Sequence, residues 1–157
     1  MGTFLALLQL KKPTLADLVM ERTNLSELPD GALDLLWSSE SSEVRVKLCE
    51  DDNFVQRLTA GQGQDIILSN DETMILPTIE SLPYCIDDFE RLGEMEAKRF
   101  VMALVRHPNT SISRAVMRKP ILESIDDDVL AFSRETWTAF VVCTLAVMLS
   151  TMLRGSI

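Results

Sequence analysis

Apolar residues recur at spacings of three and four along much of this chain, which is the period of an α-helix with one buried face. The pattern begins at residues 14–20, where Thr14 suits a helix cap and Asp17 suits the positive end of the helix dipole. The same period predicts further helices over residues 30–37 and 43–49 and a short one over 54–58. The first third of the chain is therefore expected to be helical.

The helical period is clearest from residue 87 onward. Phe89, Leu92, Phe100 and Leu104 fall on one face of a predicted helix. That helix should end at His107, because the residue before a proline disfavours the α conformation. A further helix is expected over residues 112–118, and another from about residue 124 through Phe132.

The middle of the chain breaks the pattern at residues 60–83. Its start, 61–64, reads Gly-Gln-Gly-Gln and is expected to be a flexible loop. The four-residue runs 65–68 and 73–76 are largely apolar and flank a polar, turn-like stretch. This arrangement predicts either a small β-hairpin or an irregular connection between two helical units.

Two segments of the chain share a core pattern. Residues 19–35 and 116–132 align without a gap, so that Leu25 matches Leu122 and Asp30 matches Asp127. Most of the matched positions are apolar. Internal similarity of this kind is typical of stacked helical repeats, and it predicts that Leu25 and Leu122 occupy equivalent core positions.

The stretch HPNTSISRAVMRKP, at residues 107–120, resembles the leucine-rich repeat variant motif, and residues 121–133 resemble the second half of such a repeat. Residues 38–52 resemble a poorer copy that keeps Val44, Arg45 and Leu48. HEAT-type repeats share these features. The resemblance covers about half of the chain and implies short paired helices stacked into a right-handed curved array, with binding on one face.

These observations predict a mainly α, α-solenoid-like domain of short helical repeats with an irregular or small β-hairpin insertion at about residues 60–83. We expect a single domain over residues 1–157. Its predicted parts are helical units at about 14–58 and 87–133, an insertion at 59–86, and a C-terminal apolar helix at 136–153.

The net charge of the 157-residue chain is −9, which disfavours general DNA or RNA binding and favours a protein partner with a basic surface. The three cysteines, Cys49, Cys85 and Cys143, are far apart in sequence. They form no CxxC zinc motif and imply no disulfide framework. They are expected to be reduced thiols in a cytoplasmic protein, and the iron–sulfur cluster of some variant-repeat proteins is not carried over.

Residues for catalysis are scarce. The one histidine, His107, stands beside a proline and is expected to have a structural role at a helix end. No phosphate-binding glycine motif is present. The acidic runs 50–52 and 126–128 are expected to be a solvated turn and a helix start rather than calcium or magnesium sites. We therefore predict no enzyme activity, no catalytic, cofactor-binding or metal-binding residue, and no cofactor.

Residues 136–153 are 18 consecutive uncharged residues. That length can just cross a bilayer, with Trp137 at the interface. Its five serine and threonine residues reduce its hydrophobicity. The segment is therefore a core helix of the domain, a self-association or partner surface, or a membrane anchor, and the sequence leaves these three alternatives open.

The leading functional prediction is a non-catalytic protein–protein interaction module, acting as a scaffold, adaptor or inhibitor. One alternative is a tail-anchored membrane accessory protein that uses the helix at 136–153. A second alternative is an acidic secretion-type chaperone, and a weaker one is a small enzyme whose site the sequence does not reveal. The expected partners are another protein or a second copy of the chain, and the expected location is the cytoplasm or, in the anchored alternative, a membrane.

Overall fold

The computed structural model describes residues 13–39 and 41–125. Within these ranges the chain forms eight α-helices and three short 3₁₀ helices, with no β-strand. The α-helices are α1 (Pro13–Arg22), α2 (Asp30–Trp37), α3 (Ser42–Cys49), α4 (Asp52–Gln56), α5 (Ala60–Ser69), α6 (Glu72–Glu80), α7 (Glu94–Val105) and α8 (Thr110–Val116). The 3₁₀ helices are Leu25–Glu27, Ile86–Asp88 and Pro120–Ser124. The prediction of a mainly α protein is confirmed.

Polar side chains at the preceding residue fix the starts of five helices. In each case a side-chain oxygen accepts a hydrogen bond from a backbone N–H of the first turn, which would otherwise lack a partner. The capping residues are Ser41 for α3, Asp51 for α4, Thr59 for α5, Asp71 for α6 and Asn109 for α8. The helix boundaries therefore follow from local sequence as well as from packing.

The helices pack as consecutive pairs: α2 with α3, α5 with α6, and α7 with α8. The second helices of these pairs are neighbours, since α3 contacts α6 and α6 contacts α8. The first helices α5 and α7 also contact each other, and α1 packs on α3. Adjacent pairs thus meet through like helices: in these contacts a first helix packs on a first helix, and a second helix packs on a second helix.

Contacts near the helix starts link the first helices of the three pairs. Arg57, three residues before α5, forms an ion pair with Asp30 at the start of α2. The backbone N–H of Glu90, before α7, donates to the carbonyl of Gln56, before α5, at 2.8 Å. The starts of α2, α5 and α7 are therefore brought together at one end.

The core consists mainly of aliphatic side chains, together with Phe54, from these helices and the segments that join them. Fully buried members are Leu33, Leu36, Val44, Leu48, Phe54, Leu58, Ile66, Ile75, Ile79, Leu104, Ile112 and Ile121. At ~1.5–3 kcal/mol for each buried side chain of this size, the burial of apolar surface is the main favourable contribution to folding. The described helices all belong to one compact unit that ends at Ser124.

The prediction of a β-hairpin or an irregular connection at residues 60–83 is wrong. Residues 60–83 contain the helices α5 and α6, and neither a hairpin nor an irregular connection. Asn70 ends α5 in the left-handed conformation (φ 50°), and Asp71 then caps α6. The two apolar runs therefore lie on neighbouring helices of a pair, and Asn70 and Asp71 alone form the turn between these helices.

The helix predicted from residue 87 begins later, at Glu94. The backbone of Gly93 is extended (φ −66°, ψ 156°) and marks the helix start. Phe89 and Leu92 precede the helix but are both buried, as their apolar character predicts. The apolar pattern thus located the core correctly and misplaced the helix boundary.

The two copies of the internal repeat share a local structure over the residues described. Leu25 lies in the 3₁₀ helix that follows α1, and Leu122 lies in the 3₁₀ helix that follows α8. Both side chains are buried. The rest of the second copy and the segment 136–153 lie outside the described residues, so the repeat family, the single domain and the C-terminal helix stay predictions.

Candidate protein-binding groove

An open groove of about 280 Å³ lies between α5 and α7. Its lining is mostly apolar and comes from both helices and from Leu92, two residues before the second one. The lining residues are Ala60, Gly63, Gln64, Ile67, Leu68, Leu92, Glu96, Arg99, Phe100 and Ala103. Leu68, at the rim of the groove, is 71% exposed.

Gly63 allows the two helices to approach at the floor of the groove. A Cβ at this position would lie 3.1 Å from a ring carbon of Phe100, which is closer than ordinary van der Waals contact. Phe100 is itself held by Phe89, whose ring meets it edge to face with centroids 6.3 Å apart. The floor is therefore a packed aromatic surface.

The wall formed by α5 is fixed at both ends by local hydrogen bonds. Thr59 and Gln62 form a reciprocal capping box at its start, with the Gln62 side chain accepting from the Thr59 N–H at 2.9 Å. Asn70 closes its end in the left-handed conformation. These caps make α5 a stable wall despite its two glycines, which lower helix propensity.

The rim of the groove carries three polar side chains: Gln64, Glu96 and Arg99. Arg99 donates to Glu96 across one helical turn, with 2.9 Å between Nη1 and Oε1. Because both partners are largely exposed, the pair contributes little to stability. It can open to meet polar groups of a ligand without a large loss of stability.

Two arginines hold the wall helices to α2. Arg57 donates to Asp30 at 2.5 Å and also to the carbonyl of Leu28 at 2.8 Å. Arg91 makes a bidentate contact with Asp34, with both N–O distances 2.9 Å. Each arginine lies three residues before a wall helix and contacts α2, so both α5 and α7 are held to the same helix.

Asp34 is the centre of this network, since it also accepts from the Gln62 side chain at 2.9 Å. The hydrogen bond from Arg91 holds the pKa of the Asp34 carboxyl below its usual range, against the opposing effect of partial burial. The same bond raises the pKa of Arg91. The carboxylate is therefore charged at neutral pH and connects three parts of the fold.

The groove can bind apolar groups but has no group suited to covalent chemistry. Its lining contains no serine, cysteine or histidine, and its only carboxylate is engaged by Arg99. Binding through apolar contact, with orientation set by a few polar groups, is what such a lining supports.

His107 lies at the end of α7, as predicted, and is buried. Its Nδ1 accepts a hydrogen bond from the backbone N–H of Asn109 at 3.1 Å. This bond supports the turn into α8, where Asn109 acts as the cap.

The described acidic residues and cysteines that the sequence analysis discussed lie at different places in the fold. Asp51 caps α4, and within the described ranges no cluster of three or more histidine, cysteine or acidic residues could hold a metal ion. Cys49 is buried and Cys85 is partly exposed, and both are free thiols. Burial raises the pKa of the Cys49 thiol to about 11. Cys143 and the run 126–128 lie outside the described residues.

No helix among the described residues is long and apolar enough to cross a membrane. The segment 136–153, for which a membrane anchor was one alternative, is not among them.

Sequence reasoning missed the groove and part of its framework. The expected flexible loop at 61–64 is wrong, because these residues form the first turns of α5. The signal was available: Thr59 and Gln62 stand at the spacing of a capping box. A second signal was the recurrence of Arg-Leu at positions 57 and 91, 34 residues apart, before the two wall helices.

Comparison of the chain with protein-family models, with curated proteins and with solved structures finds no match in any of the three.

Proposed function

We propose that this protein is a non-catalytic protein–protein interaction module, of the scaffold, adaptor or inhibitor kind, that binds its partner through the groove between α5 and α7. The observation that carries the proposal is an apolar groove with an exposed leucine, Leu68, on a rigid helical framework. Covering a leucine of this kind on binding would contribute ~1.5–3 kcal/mol. Contacts of this size are typical of the anchor residues of interfaces.

The framework supports the same proposal. Helix pairs that meet through like helices are the arrangement expected of a leucine-rich repeat variant or HEAT-like array, which binds partners on one surface. Under this proposal the fold is an α-solenoid-like stack. The groove alone is smaller than a complete stable interface, which typically buries ~1,200–2,000 Å², so it acts as the anchor of a larger contact surface.

The net charge of −9 favours a partner with a basic surface. The proposed location is the cytoplasm, with a second copy of the chain as one candidate partner.

Site-specific photocrosslinking in the native host tests the proposal. A photoreactive phenylalanine replaces Gln64 on the groove rim, and a matched variant carries it at Met117, which is exposed at the end of α8 and does not line the groove. We expect a discrete crosslinked protein from position 64 that position 117 does not give. Identical products from both positions, or none from position 64, would argue against the groove as the binding surface.

A further inference from the structure

We propose that the ligand of this groove is a short amphipathic α-helix of the partner, with basic residues at one of its ends. The inference rests on the proposed function and specifies the kind of segment that the groove binds.

The walls of the groove favour a helix over an extended segment. Both are α-helices, whose backbone N–H and C=O groups are used within the helices themselves. An extended peptide would therefore find no backbone partners, and each backbone polar group that it buried without a partner would carry a desolvation penalty. A helix satisfies its own backbone and brings only side chains into the groove.

The length of the groove matches about two turns of helix. Its lining residues on α5 extend from Ala60 to Leu68 at helical spacings of three and four. On α7 they extend from Glu96 to Ala103. At 1.5 Å per residue these stretches are ~10–12 Å long. A ligand helix would fill them with apolar residues at positions i, i+3 or i+4, and i+7.

The end of the groove where α7 begins carries three exposed glutamates, Glu90, Glu94 and Glu96, of which only Glu96 lines the groove. Glu94 pairs with Lys98 and Glu96 with Arg99, both in exposed ion pairs that a cationic ligand can replace. A ligand helix with lysine or arginine residues near this end would meet complementary charge, which speeds encounter and fixes orientation more than it adds affinity. The Glu96–Arg99 pair can then exchange its internal contact for one with the ligand.

The openness of the groove argues against a small apolar molecule as the ligand. A pocket for such a ligand usually encloses 70–90% of its surface. Leu68, by contrast, is 71% exposed at the rim. A helix that continues beyond both ends of the groove would cover this side chain.

Selection of peptides from a phage-displayed library of random sequences, about 12–16 residues long, tests the inference. Wild-type protein serves as the bait, with counter-selection on Leu68→Lys so that only groove-dependent binders remain. Met117→Lys, at an exposed residue at the end of α8 that does not line the groove, is the matched control. We expect enriched peptides with apolar residues at i, i+3 or i+4, and i+7 and an excess of lysine and arginine at one end.

Synthetic versions of the enriched peptides should become helical on binding. They should bind Leu68→Lys about tenfold more weakly than wild type and bind Met117→Lys with unchanged affinity. A proline in the centre of the peptide should abolish binding.

The outcomes separate the inference from the function on which it rests. Groove-dependent peptides with a period of two, or proline-tolerant ones, would overturn the helical ligand and leave the groove as a protein-binding site. Acidic rather than basic residues at the ends of the selected peptides would overturn the inference that the ligand helix has a basic end. If no enriched peptide distinguishes wild type from Leu68→Lys, or if only a small apolar dye binds in a Leu68-dependent way, the helix inference fails, while the crosslinking result decides the function separately.

Discussion

Gly63 of α5 lies so close to Phe100 of α7 that a Cβ on the glycine would come within 3.1 Å of a ring carbon. This contact sets the separation of the two helices at the floor of the groove. Gly61, two residues earlier on the same helix, has no atom within 4 Å of the corresponding position. The two glycines of α5 therefore differ in role although they share a helix.

The first prediction compares alanine at these two glycines. Gly61→Ala should stabilise the protein by about 0.5–1 kcal/mol, because alanine loses less backbone freedom on folding and meets open space. Gly63→Ala gains the same amount but must displace the Phe100 ring, and overpacking of this kind costs about 1–3 kcal/mol. Urea unfolding should therefore show Gly63→Ala less stable than Gly61→Ala by about that amount. Equal stabilisation by both would mean that the Phe100 ring does not rest on Gly63.

The second prediction concerns pH and Asp34. The folded state holds the pKa of this carboxyl below its unfolded value, so the ion pair with Arg91 stabilises the fold above the unfolded pKa of about 3.9. That contribution is lost as the pH falls through the lower, folded pKa. Asp34→Asn should cost about 0.5–1 kcal/mol at neutral pH, since the side chain is partly exposed. Its difference from wild type should then shrink as the pH falls below the folded pKa.

Urea unfolding of both proteins over this pH range measures the effect. Glu94→Gln, which removes an exposed pair with Lys98, is the control and should change stability little at any pH. A cost for Asp34→Asn that does not depend on pH would contradict the assigned pairing.

The sequence was sufficient to predict the helices whose signals are local. Asp30–Trp37 and Ser42–Cys49 were predicted within one residue, because an apolar stripe and polar flanking residues coincide there. The structure of the middle of the chain was predicted wrongly, because a short, largely apolar run such as 65–68 fits a strand or a turn of helix equally well. Only the caps at Thr59 and Asp71, on either side of that run, distinguish the two.

The groove could not be predicted from the sequence by the same means. In the sequence, Leu68 fits the apolar stripe of a helix like its neighbours. No adjacent residue in the sequence indicates that its side chain is exposed. Its exposure depends on where α7 lies, and that is set by the contact of Gly63 with Phe100 and by the reach of Arg91 to Asp34. Both contacts join residues more than thirty positions apart, so no local pattern encodes them.

The third prediction concerns thiol reactivity. Cys49 is fully buried and its pKa is raised to about 11, so about one molecule in ten thousand carries the reactive thiolate at pH 7. Under native conditions iodoacetamide should modify Cys85, which is partly exposed, at least about tenfold faster than Cys49. Peptide mass spectrometry reads each site separately, and labelling in urea is the control in which the two rates should converge. Rapid native labelling of Cys49 would show that its surroundings open readily.

The fourth prediction tests the internal repeat. Leu25 and Leu122 are both buried in 3₁₀ helices that follow an α-helix, so Leu→Ala at either position should cost about 2–5 kcal/mol. Leu18→Ala, at a half-exposed leucine of α1, is the matched control and should cost much less. Urea or thermal unfolding measures all three. A negligible loss of unfolding free energy at either buried leucine would contradict the claim that the two copies are equivalent.

The most direct test of the central claim is the affinity of the crosslinked partner, once purified, for three forms of the protein. Calorimetric titration compares wild type, Leu68→Lys in the groove and Met117→Lys at an exposed residue outside it. If the groove is the binding site, Leu68→Lys weakens binding about tenfold or more, because a charge replaces an apolar residue at the interface, while Met117→Lys binds like wild type. Equal affinity of all three forms would contradict the account.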